Sequence, residues 1–149
     1  MTQRFQGWEP PAPGSEQVRE TQRLEIDYHK FCGGNDTLIT NAYFDHYLYP
    51  QALPERISVV LTEPFKGISA EICVGRVSRV KEENELYLKW TKLPQKPHSF
   101  QQRPESLFLP PDGSNRTIRL TVKMRGEDLP TSGKILFFIK TRTISLVVK

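Results

Sequence analysis

The chain has 149 residues, 37% hydrophobic and 26% charged, with a formal net charge of +4. That is enough apolar material for one soluble domain with its own core. No apolar run approaches the ~20 residues of a membrane helix. Twelve prolines and nine glycines favour short strands and loops over a helical bundle.

The first segment, residues 1–23, contains Pro10, Pro11, Pro13 and Gly14 and reads as a Pro-rich arm ahead of a domain over 24–149. Its arginines and glutamates cancel, which argues against a polybasic nucleic-acid arm. Phe5 and Trp8 are the large apolar groups that would pin it to the domain or to a neighbouring subunit. The opening residues lack the apolar core of a signal peptide. The chain as written is therefore expected in the cytoplasm, and in the periplasm only if a leader has been removed.

Residues 24–31 alternate apolar and polar, which predicts a strand, and Gly33-Gly34-Asn35-Asp36 predicts a turn. Residues 37–49 are aromatic-rich and fit a strand or a short helix. Strands are predicted over Arg56–Thr62, Ile68–Val80 and Leu86–Thr91, a loop over 92–106, and a short strand over Leu107–Leu109 before the Pro110-Pro111-Asp112-Gly113 turn. The clearest pattern lies at Thr117–Arg125: Ile118, Leu120, Val122 and Met124 share one face, and Arg119, Lys123 and Arg125 the other. A last strand begins near Lys134. Short strands separated by frequent turns predict an all-β, antiparallel β-sandwich, immunoglobulin-like or jelly-roll-like, with an extended N-terminal arm.

Chemistry is sparsely signalled. Cys32 and Cys73 are too few for a disulfide scaffold and read as free thiols, with a single bridge as the alternative. His29 with Cys32, and Asp45 with His46, lack the spacing of a zinc site, and no nucleophile motif, Walker loop or dinucleotide fingerprint is present. Asn35-Asp36-Thr37 and Asn115-Arg116-Thr117 fit the glycosylation sequon by chance. The expectation is a non-catalytic chain with neither metal nor cofactor. Charge is uneven: residues 116–149 hold eight basic against two acidic residues, a net +6, and residues 1–115 hold 13 against 15, a net −2. Arg119, Lys123 and Arg125, with Lys140 and Arg142, predict a basic sheet face. That face carries none of the aromatics that single-strand binders interleave with their cations.

Residues 86–144 resemble part of the N-terminal immunoglobulin-like domain of periplasmic pilus chaperones of the chaperone–usher type. Trp90, Pro104, Leu107-Phe108, Gly113, Thr117-Ile118-Arg119-Leu120, Leu129-Pro130, Leu136-Phe137-Phe138 and Ile144 follow that family's order and approximate spacing. The resemblance implies binding by strand addition, in which an open edge accepts a partner's strand. The partner-binding residues would then be Phe138, Lys140, Arg142, Ile144 and Leu146 on an edge strand; the other reading of this strand, apolar on both faces, is a central strand of the chain's own sheet. The expected function is a protein-binding or assembly module acting through sheet edge and basic face. Its partner is another protein chain or a second copy of itself. The alternative is a self-assembling structural protein of the viral coat type, a jelly roll whose basic face touches nucleic acid.

Overall fold

The computed structural model describes residues 17–49, 52–104 and 116–144. Eight strands run through them: β1 Gln17–Asp27, β2 Asn41–Tyr47, β3 Ala52–Glu63, β4 Ser69–Val77, β5 Glu82–Lys92, β6 His98–Gln101, β7 Thr117–Arg125 and β8 Lys134–Ile144. Two short 3-10 turns, Tyr28–Phe31 and Gly34–Asp36, join β1 to β2. No described helix is long and apolar enough to cross a membrane.

The pairing has a simple logic. β1 pairs with β8, β2 with β7, β3 with β6 and β4 with β5, all antiparallel. The chain is thus a long hairpin, folded at the β4–β5 turn and then rolled up. Two further antiparallel pairings, β3 with β8 and β4 with β7, close the roll into sheets of order β1-β8-β3-β6 and β2-β7-β4-β5. Successive strands change sheet at every connection except β4–β5 and pack face to face around one core. This is the jelly roll, one of the two forms the sequence left open.

Alternation decides which side chains enter the core. On β7, Ile118, Leu120, Val122 and Met124 are at most 1% exposed, as their spacing predicts. On β8 the inward set is Ile135, Phe137, Ile139 and Thr141, and on β3 it includes Ile57, Val59 and Leu61. Phe31 caps one end of the core, edge-to-face against both Phe44 and Phe65.

Several expectations are corrected. The strand placed at 24–31 is β1, and it begins at Gln17, so the 23/24 boundary falls inside a strand. Gln17–Arg23 has no regular apolar signal, but every residue of it pairs with β8. The 92–106 loop contains β6, whose polar His98–Gln101 sequence gains strand form from an edge position against Ser58–Leu61 of β3. Residues 37–49 resolve as a strand, β2. The predicted Leu107–Leu109 strand, its following turn and most of the arm lie outside the described residues.

β5 does not run evenly along β4. Arg76 faces Glu83 and Val74 faces Leu88, so the registers shift and β5 carries extra residues between them. The extra backbone lies on Gly75, where an added Cβ would overlap the Glu83 carbonyl oxygen and crowd the Asn84 backbone. Only glycine fits under that bulge. Gly75→Ala should therefore cost about 2–3 kcal/mol of stability, in the upper range for overpacking. Gly34→Ala, which meets nothing within 4 Å, should stay within about 0.5 kcal/mol. Urea unfolding of the two variants checks the difference.

Candidate interaction surfaces

The outer face of β2-β7-β4-β5 carries the β7 cations singled out in the sequence. Arg119 forms a two-pronged ion pair with Asp45 of β2: Nε donates to Oδ1 at 2.7 Å and Nη2 to Oδ2 at 2.9 Å. The register Asp45↔Arg119 sets this pair, and the Asp45 hydrogen bond holds the Arg119 pKa above its ordinary value. The same guanidinium lies 4.4 Å from the centre of the Tyr43 ring. Lys123 Nζ lies 4.7 Å from the centre of the Trp90 ring, and Lys123 faces Glu71 in the β4 register. Arg125 is exposed beside Ser69.

Two corrections follow. The face is not short of aromatics: Tyr43 comes from β2 and Trp90 from β5, strands that the β7 sequence cannot announce. Nor is it a free basic stripe, since Asp45 engages Arg119 and Glu71 opposes Lys123. A shallow groove between the two cation–aromatic pairs is lined also by Glu82, Asn84 and Thr121. Cys73 lies beneath this face, fully buried, its thiol pushed up to about 11 chiefly by burial. Both cysteines are free, and at that pKa Cys73 is an inert core thiol.

β8 is not an edge strand. It is paired on both sides, by β1 from Lys134 to Ile144 and by β3 from Lys134 to Thr143. Nested pairing of the chain puts its last described strand in the middle of a sheet, so no partner strand can add to it. Phe138, Lys140 and Arg142 instead point outward from the centre of β1-β8-β3-β6. Ile144 pairs with Gln17 at the strand's end, and Leu146 lies outside the described residues. Neighbouring strands add cations to this second outer face. Arg19 of β1 sits opposite Arg142, and Arg56 of β3 opposite Lys140. Glu55 occupies the β3 bulge between Pro54 and Arg56 and accepts from Arg19 Nε at 3.4 Å. The sequence marks Lys140 and Arg142 as basic but gives no sign that Arg19 and Arg56 join them, since the members are up to 123 positions apart.

The candidate metal residues do not converge. His29 Nδ1 lies 3.3 Å from Asp27, the Cys32 thiol donates to the Tyr28 carbonyl at 3.5 Å, and Asp45 serves Arg119. Among the described residues no three His, Cys, Asp or Glu side chains group as a metal site. Along the seam between the β1 and β2 edges, Gln22, Leu24, Phe44, His46, Phe137 and Ile139 line a cleft of about 180 Å³. Arg76, buried opposite Glu83, lies 5.5 Å from the Tyr87 ring, and burial pushes the Tyr87 hydroxyl up to about 12.

Among the described residues the architecture is an eight-stranded jelly roll, and solved structures resemble it in fold. The chain is similar to a chain of the empty turnip yellow mosaic virus structure, with a TM-score of 0.53 and 10% identity over 100% of this chain and 91% of that one. A second turnip yellow mosaic virus structure matches at a TM-score of 0.53 and 11% identity, over 99% and 90%. At such identity the likeness is one of fold. No family model matches the chain, and neither does any curated protein.

His46 gives the seam a pH dependence. Burial lowers its pKa below 6.5, so the unfolded state takes up the proton first. Stability should be unaffected by this group above about pH 6.5. It should fall as pH drops through the folded-state pKa. The loss in unfolding free energy between pH 7.5 and 5 should be smaller in His46→Gln than in the parent, as urea titrations at the two pH values will measure.

Proposed function

We propose that the chain is a non-catalytic structural subunit that assembles with copies of itself into a coat-type shell. The observation that carries this reading is the full-length match to turnip yellow mosaic virus chains, with all of this chain and 91% of the other aligned. A partial match would place a generic sandwich inside a different protein. This one aligns nearly the whole of both chains.

The surface supports the same reading. Tyr43, Tyr47 and Tyr49 on and beside the edge strand β2 are 55%, 59% and 73% exposed. Exposed tyrosines grouped at one edge are costly to leave in water and enriched at the centres of protein interfaces. Among the described residues β2 is an edge strand with β7 as its one partner, so no described strand pairs with its outer side. A neighbouring copy that covers this edge would bury both the aromatic rings and the free backbone groups.

Size-exclusion chromatography with light scattering, followed by electron microscopy of the heavy fraction, tests the proposal. Discrete closed assemblies are expected at micromolar concentration. A strict monomer at all concentrations and salts would rule out self-assembly. Tyr47→Asp combined with Tyr49→Asp should weaken association at least tenfold, because tyrosine contacts of this kind are worth about 2 kcal/mol or more in interfaces.

A further inference from the structure

We infer that the outer face of β1-β8-β3-β6 binds single-stranded nucleic acid, gripping the phosphates with Arg19, Arg56, Lys140 and Arg142. The inference does not require the chain to assemble. It starts from an arrangement that the fold alone does not explain. Arg19 stands directly opposite Arg142, and Arg56 directly opposite Lys140. Directly paired residues on neighbouring strands have Cβ atoms about 5 Å apart, and like charges there destabilise a sheet. Two such pairs lie two residues apart on the same strand.

Among the described residues one carboxylate reaches this cluster. Glu55 takes a single long bond from Arg19, while its Oε2 and the Nε of Arg142 are buried with no partner. Four cations against one acid leave the cluster at +3, with hydrogen-bonding capacity unspent. A polyanion laid across β8 would relieve both repulsions together. Three of the four cations are arginines, whose planar guanidinium presents paired N–H groups to phosphate oxygens. One row further along, Phe138 lies half-buried between Arg23 and Ser58. An aromatic ring beside a cationic row provides a stacking surface for unpaired bases, which an acidic peptide would not use. The opposite outer face offers no such excess, because Asp45 pairs with Arg119 and Glu71 opposes Lys123.

Fluorescence anisotropy of the full chain with a labelled single-stranded oligouridylate, from about 50 to 300 mM salt, is the test. Four phosphate contacts predict a slope of about −3 in log affinity against log salt. Arg56→Glu and Lys140→Glu should each weaken binding at least tenfold. Each also turns a like-charge pair into an opposite-charge pair, so its urea midpoint should stay level or rise. That separates lost binding from lost folding. Lys30→Glu, on the β1–β2 connection, should bind within twofold of the parent. Binding that survives Arg56→Glu and Lys140→Glu, or no binding at the lowest salt, overturns the inference. A lowered midpoint in both variants contradicts the like-charge pairing on which it stands. Polyglutamate bound as tightly as the oligonucleotide assigns the face to an acidic protein instead.

Discussion

Pairing of β8 with both β1 and β3 is the constraint on which the rest of the molecule depends. The strand that begins the described chain and the strand that ends it are zipped together along eleven registered positions, and β3 closes the other side of β8. β7 holds the same central place in the other sheet, between β2 and β4. These long-range ladders set the inward faces of β7 and β8 against each other. Ile118, Leu120, Ile135, Phe137 and Ile139 thereby enter a shared core. Such non-local pairings carry a large loop-closure cost before any contact rewards it.

Central placement also decides what the outward residues do. A strand flanked on both sides cannot accept a partner strand, so β8 contributes side chains to a surface and its backbone is already used. Its outward row of Phe138, Lys140 and Arg142 gains cations from both flanks. The outward row of β7 gains acids and aromatic rings instead. Two basic strands of similar composition thus become two different surfaces, one with an excess of positive charge and one nearly balanced. The difference comes from cross-strand neighbours alone.

Among the described strands the sheet edges fall elsewhere. β1 and β2 form one side of the sandwich and leave the seam around Leu24, Phe44 and His46 partly open. Exposed tyrosines gather at β2. A rolled hairpin of this kind always leaves outer strands with unused backbone groups, and proteins manage such edges by covering them, charging them or joining them to a neighbour. The aromatic character of β2 fits the last of these.

The amino-acid sequence determined the all-β class, because period-two alternation at Thr117–Arg125 and around Ile57–Leu61 is a local property of the chain. It likewise determined which β7 side chains enter the core. It did not reveal β6, whose four polar residues hold strand form through their pairing with β3, nor the start of β1, whose first residues follow β8. It leaves the place of β8 open for the same reason: an apolar strand looks alike at an edge or at a centre until its neighbours are known. The Arg119–Asp45 pair, the Lys123–Trp90 contact and the Arg19, Arg56, Lys140 and Arg142 cluster were decided by tertiary structure alone. Each joins residues far apart in the chain, and a charge's partner is fixed by strand register, which no local pattern encodes.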